Sequence, residues 1–242
     1  LTAVEKDRLL VIFVVFTFVV IIWATFEQAG GLMNLFADKY TDRTGGVFTV
    51  PTGWFQSLNP LFIVLLGLPF SMLWSKLGER GRNPATPVKM YLGLAQVALG
   101  FVFLVIAVFE MQRTGDMKSG MIWLVLGYLF HTTGELCISP VGLSMVTKLA
   151  PLRLGSRMMG VWFMINFIAN TLAGYIGAFS ENMGEYPWMV SLAADVGVRA
   201  EHAGLLGIFG GLAVVLITFS LLLWAISGRI VQWMHGAEGN RK

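Results

Sequence analysis

The sequence predicts an all-α membrane protein built as a bundle of six transmembrane helices. Composition is the first observation behind this. Hydrophobic residues make up 56% of the chain and charged residues 13%, with a mean hydropathy of +0.71, against about 25% charged residues in an ordinary soluble domain. Length is the second. The 242 residues hold six apolar runs long enough to cross hydrocarbon, at roughly 20 residues each, and leave no room for a large soluble domain besides. The third is punctuation: glycine, proline and charge cluster between the runs. Alternation of the length a membrane β-barrel strand needs is absent from the pattern.

In chain order, the spans are expected at about Arg8 to Ala37, Thr52 to Leu77, Pro87 to Glu110, Gly120 to Lys148, Arg157 to Phe179 and Gly204 to Met234. Gly45-Gly46 precedes Pro51 and the second span. Gly78-Glu-Arg-Gly-Arg-Asn-Pro84 separates the second from the third, and Thr114-Gly-Asp116 the third from the fourth. Pro151 marks the stop of the fourth helix, because a residue before proline is pushed out of helical geometry. An acidic stretch from Ser180 to His202 reads as the long loop before the sixth span. Residues 1–242 are therefore expected to form a single six-helix domain.

The basic residues set the orientation. With the N-terminus in the cytoplasm, twelve Lys and Arg fall on cytoplasmic segments: Lys6, Arg8, Lys76, Arg80, Arg82, Lys89, Lys148, Arg153, Arg157, Arg229, Arg241 and Lys242. Five fall outside: Lys39, Arg43, Arg113, Lys118 and Arg199. The positive-inside rule then places both termini in the cytoplasm of a multi-pass protein of the inner (plasma) membrane. The first apolar run is too long for a signal peptide, and no small-residue cleavage site follows it. A first residue of Leu1 rather than Met suggests a fragment or a processed piece. The lone cysteine, Cys137, excludes an internal disulfide.

Polar residues inside the spans are the candidate functional groups. Glu135 stands out, because an ionisable group near mid-membrane costs about 2.5–3.5 kcal/mol on insertion scales and marks a functional cavity by default. His131, Glu135 and Ser139 are spaced by four and form one stripe on the fourth helix, with Pro140 and Gly142 weakening the helix just below. Trp23 and Glu27 share a face of the first span. Gln56 and Asn59 precede Pro60 in the second, where Pro60 removes the backbone bond to Gln56 and is expected to kink the helix. Trp162 and Asn166 share a face of the fifth, with Asn170 one turn on.

Plainer roles stand beside each of these. Glu135 can be a structural carboxylate paired with another buried group, and Glu27 an acid at the membrane interface. Trp23 and Trp162 can be packing or aromatic-belt residues. Asn59 can bond between helices, His131 suits a hydrogen-bonded structural role, and Pro60 and Pro140 can be simple kinks. Gly207 and Gly211 form a small-xxx-small pair, expected to pack closely against another helix.

Longer motifs connect these positions. Gly127-Tyr128, then Gly134-Glu135-Leu-Cys-Ile-Ser139-Pro140-Val-Gly142-Leu-Ser144, then Lys148-Leu-Ala150-Pro151, resembles the tenth helix of the proton-dependent oligopeptide transporters of the major facilitator superfamily. Trp23-Ala-Thr-Phe26-Glu27-Gln28 resembles that family's seventh helix, Gln56-Ser-Leu-Asn59-Pro60 its eighth, and Met158-Met-Gly-Val-Trp162-Phe the start of its eleventh. The resemblance runs from about Glu5 to Trp233. It implies the C-terminal half, helices seven to twelve, of a major-facilitator fold. The family's E-x-x-E-R motif lies on the N-terminal half and does not occur here.

The resemblance also implies roles. Glu135 matches the acid that binds a peptide's free amino group and pairs with a lysine of the opposite bundle; Asn59 matches the asparagine that bonds the same end. Ser139 would line the same pocket, and Trp23 and Trp162 match aromatic pocket residues. Glu27 matches an outer-gate acid, and Pro60 and Pro140 would serve gating. The implied activity is symport of di- and tripeptides with protons as coupling ion, by alternating access against the missing N-terminal six-helix bundle. A lone half is not expected to transport. No cofactor and no metal site are implied, and the partners are peptide, proton, the other bundle and membrane lipid. Two other readings stay open: another major-facilitator carrier, of nitrate or drugs, and a non-transporting membrane interaction subunit. An enzyme is not expected, since no G-x-S-x-G, metal-ligand cluster or catalytic carboxylate pair occurs. Nucleic acid is not an expected partner either, because the basic residues are scattered over loops.

Overall fold

The computed structural model describes residues 1–46, 48–115 and 117–237, with the backbone alone at Val141. Asp116 of the expected third loop, and Arg241 and Lys242 of the basic tally, lie outside the described residues. Among those described, six helical segments are long and apolar enough to cross a membrane. They begin and end within a few residues of expectation, but two of the six are interrupted.

The first span starts earlier than Arg8. Helix α1 covers Ala3–Phe26 because Thr2 and Glu5 form a capping box: the Glu5 amide donates to Thr2 Oγ1 at 3.2 Å and the Thr2 amide to Glu5 Oε2 at 2.7 Å. The helix tightens into a 3-10 turn at Glu27–Ala29, breaks at Gly30-Gly31, and resumes as α2, Leu32–Lys39. Gln28 sits inside this break. Its side-chain amide donates to the Ala24 carbonyl at 3.0 Å and to the Ala173 carbonyl of the fifth span at 3.2 Å, tying the break to that span.

The second span is α3, Thr52–Gln56, followed by α4, Leu58–Glu79. The helix is interrupted at Ser57, in the turn before Pro60, where the proline removes the backbone bond to Gln56. Pro60 is thereby the third residue of α4. Pro69 is the proline inside this helix.

Helix α5, Thr86–Thr114, ends at Gly115 in the left-handed region (φ 75°). Helix α6, Met121–Leu149, runs unbroken through Pro140 to Ala150, ahead of Pro151. Helix α7 covers Gly155–Glu181. The stretch expected as a long loop contains a short helix, α8, Pro187–Asp195, flanked by 3-10 turns at Met183–Glu185 and Ala200–His202. Helix α9, Ala203–Trp233, closes the bundle. Two-residue strands link the loops: Thr41–Asp42 pairs in parallel with Ser119–Gly120, and Thr44–Gly45 antiparallel with Phe48–Thr49.

The core lies between α1, α5, α6 and α9, around Val15, Leu94, Phe101, Leu124, Phe209 and Leu216. Its tightest seam is α5 against α6. A Cβ on Gly93 would stand 2.9 Å from the Gly134 carbonyl, and one on Gly134 2.7 Å from the Gly93 carbonyl. Seven residues further along α5 and seven back along α6, a Cβ on Gly100 would stand 3.0 Å from the Gly127 carbonyl. Two glycine pairs thus let the backbones meet, as small residues do in membrane bundles. The expected Gly207/Gly211 pair does not form such a seam. Gly207 receives Met183 and Met189, whereas a Cβ on Gly211 would meet nothing within 4 Å.

Helix α4 is held differently. It has no buried residue, and Val64 and Leu68 are 77% and 69% exposed. It leans on α6, and toward its C-terminal end the Lys89 ammonium of α5 lies 4.6 Å from the Trp74 ring centre. Residues near the start of α1 meet residues just after α9 at one end of the bundle. Arg8 donates to the Met234 carbonyl at 3.2 Å and to that of His235 at 3.3 Å, and Asp7 reaches the His235 ring at 2.7 Å.

Candidate functional site

Glu135 and Asn59, on different helices, are brought into contact. Asn59 occupies the first turn of α4, just past the break at Ser57, and Glu135 lies midway along α6. The Asn59 amide nitrogen donates to Glu135 Oε2 at 3.0 Å and to Thr132 Oγ1 at 3.1 Å. Both Asn59 and Glu135 are half-buried. Glu135 Oε1 accepts no hydrogen bond among the described residues. The carboxylate is therefore partly desolvated and satisfied on one oxygen only. Such a group favours a cation at its open side, because charge is weakly screened in a low-dielectric surround.

Two residues that the stripe of polar positions passed over complete this arrangement. Thr132 is fully buried and donates to the Tyr128 carbonyl at 2.8 Å. Tyr128 in turn donates from its hydroxyl to the Ala29 carbonyl at 3.0 Å, tying α6 to the break in the first span. The i−3 spacing puts Thr132 on the same helix face as Glu135, but nothing in the sequence marks it off from other membrane threonines, which bond back to their own turn.

His131, at i−4, does not share the opening with Glu135. It is 1% exposed, its ring 4.6 Å from that of Phe101 and set against Gly100, where a Cβ would stand 2.4 Å from it. Ser139 is half-buried one turn beyond Glu135. Trp23 is half-buried and meets Phe26 edge-on at 5.3 Å; Phe26 approaches His131 at 6.2 Å, so a run of rings leads from Trp23 to α6.

The remaining candidates lie apart from the Asn59–Glu135 pair. Trp162 is 8% exposed, edge-on to Phe16 at 5.9 Å and packed on Gly142, whose missing Cβ makes room for the indole. It does not share the exposure of Asn166 and Asn170 on its own helix. Glu27 is exposed at the first-span break. With Gln28, Asn170, Gly174, Gly177 and Glu181 it lines a groove of about 420 Å³ between the break and α7. Pro60 and Pro140 are both exposed. Among the described residues no cluster of three metal-ligating side chains occurs.

The model of the POT family (PTR2) matches residues 2–189. The chain is 40% identical over 173 residues to the peptide transporter YePEPT of Yersinia enterocolitica, covering 72% of this chain and 34% of that protein. It is 34% identical over 176 residues to a di-/tripeptide transporter of Lactococcus lactis subsp. cremoris, covering 71% of this chain and 35% of that one. The fold is similar to that of a crystallised peptide transporter, a POT variant in complex with alafosfalin, with a TM-score of 0.80 and 33% identity. That match covers 97% of this chain and 43% of the transporter. The chain thus spans about a third of the length of the curated relatives it matches. With the family model covering most of its length and a helical bundle like that of the solved transporters, the chain belongs to the POT family.

Proposed function

We propose that this chain is the C-terminal six-helix half of a proton-coupled symporter that imports di- and tripeptides by alternating access, with both chain ends in the cytoplasm. The observation that carries the reading is the half-buried Glu135 carboxylate held by Asn59 with one oxygen left open. The free ammonium of a peptide is the cation that fits there. Family membership and the names of the similar transporters support peptide as cargo.

In this reading the peptide's amino end is received between Glu135 and Asn59, with Ser139 one turn along the same wall and Trp23 presenting an aromatic surface that accepts varied side chains. Trp162, largely covered, contributes through its packing on Gly142 and Phe16. Glu27, exposed beside a helix break, is placed to meet a cation of the opposite bundle and close the outer gate. The breaks at Gly30-Gly31 and at Ser57 are the flexible points, Pro60 starting the segment that moves. Pro140 leaves the Leu136 carbonyl without its helical donor and softens α6 below the site. A proton reaching Glu135 competes with the ammonium for the same carboxylate, which couples the two ligands.

The test is a hybrid in which the N-terminal six-helix half of the Yersinia relative is joined ahead of this chain. Cells expressing it should accumulate labelled dialanine at acid external pH, and a protonophore should abolish the uptake. A hybrid that is folded in the membrane and takes up no dipeptide overturns the proposal.

A further inference from the structure

We propose that Thr132 is a positioning residue: it fixes which way the Asn59 amide faces, and so turns Asn59 into an acceptor for a substrate ammonium. The inference rests on the amine-site reading of Glu135 and Asn59.

The argument is one of donor and acceptor supply. A threonine hydroxyl has a single proton to give. That of Thr132 goes to the Tyr128 carbonyl at 2.8 Å, within a fully buried setting that offers no water. Toward Asn59, 3.1 Å away, Thr132 Oγ1 can then only accept. The Asn59 group facing it must be the NH2. Its two protons are thereby assigned, one to Thr132 and one to Glu135 Oε2. The amide oxygen, Oδ1, is left on the far side of the amide plane, with no protein partner among the described residues.

The consequence is a pair of unengaged acceptors, Asn59 Oδ1 and Glu135 Oε1. An ammonium has three donors and no acceptor, so it matches that pair. With the amide turned over, the NH2 would face the ammonium and the oxygen would face the carboxylate, and both contacts would be repulsive. Ionised Glu135 also favours the observed orientation, but that preference weakens whenever Glu135 is protonated. Thr132 does not change charge. It holds Asn59 in the receiving orientation through the whole proton cycle.

The experiment compares dialanine with N-acetyl-dialanine in the hybrid transporter, for Thr132→Val, Thr132→Ser and Glu135→Gln. Thr132→Val keeps the shape and removes the acceptor. It should raise KM for dialanine about three- to tenfold, the equivalent of one neutral hydrogen bond, with maximal rate kept and KM for the acetylated peptide changed less than about twofold. Thr132→Ser retains the hydroxyl and should restore the KM for dialanine. If the valine variant reaches the membrane poorly, Thr132→Cys provides the comparison, because a thiol is a weak hydrogen-bonding group.

Glu135→Gln separates the two levels of the argument. A Glu135→Gln loss confined to dialanine, together with an unchanged KM for Thr132→Val, overturns the role of Thr132 and leaves the amine site standing. Equal losses on both peptides for Thr132→Val, or a serine variant as weak as the valine one, overturn it too. An equal loss on both peptides for Glu135→Gln removes the amine site, and the role of Thr132 with it.

Discussion

Replacing one carboxylate oxygen of Glu135 by an amide nitrogen preserves its size and removes its charge. Charge-assisted hydrogen bonds are worth about 1.5–3 kcal/mol, so Glu135→Gln in the hybrid should weaken dialanine binding by roughly ten- to a hundredfold. Competition against a labelled peptide measures this, and an acetylated peptide should lose much less. Glu135 and Asn59 were legible in the sequence because an acid or an amide within an apolar run is conspicuous. Thr132 was not, because a threonine in a membrane helix can bond back to its own turn and disappear. It does so here, to Tyr128, and only the approach of Asn59 from another helix gives it a second role. Trp162 shows the opposite limit. Its spacing from Asn166 was readable, but its cover depends on Phe16 and Gly142, which belong to other helices.

Among the elements, α5 and α6 offer a direct test of what a missing side chain contributes. Gly134→Ala and Gly211→Ala gain the same helix propensity, about 1 kcal/mol. At Gly134 the new Cβ meets Val97 at 2.6 Å and the Gly93 carbonyl at 2.7 Å; at Gly211 it meets nothing within 4 Å. Overpacking costs about 1–3 kcal/mol, so unfolding in mixed micelles should rank Gly134→Ala below Gly211→Ala by about that amount. Equal stabilities would mean that the seam opens freely. The helix breaks were the elements least visible in the sequence. Glu27–Gly31 and Gln56–Pro60 are short polar interruptions, and a window about twenty residues long averages them into the flanking apolar residues, so a span reads the same whether continuous or interrupted. The prolines act differently in the two helices: the interruption at Ser57 falls one turn before Pro60, whereas α6 continues through Pro140.

For the whole molecule, six spans were legible because the bilayer itself dictates their length. Which helices occupy the centre was not, since in lipid every face of a helix is apolar and burial leaves no polar contrast to read. The arrangement predicts where probes reach. Arg80 follows α4 at the end where Arg8 meets Met234, and Asp195 closes α8 at the opposite end. In intact cells a membrane-impermeant maleimide should label Asp195→Cys and should label Arg80→Cys only after permeabilisation; the reverse pattern would invert the proposed orientation. Native Cys137 is buried and should stay silent.

Helix α4 gives the site a mechanical character. Asn59 rides on a long helix with no buried residue, while Glu135 is set in a helix bound along a glycine seam. In the proposed function the site is a clasp between a loosely held panel and a fixed frame, with Lys89 over Trp74 near one end of the panel. On that proposal, whatever bridges Asn59 and Glu135 also latches the panel, and occupancy and the tilt of α4 become a single variable. A cargo with its charge at one end, as the proposed function has it, would then carry the key to the panel in its own backbone.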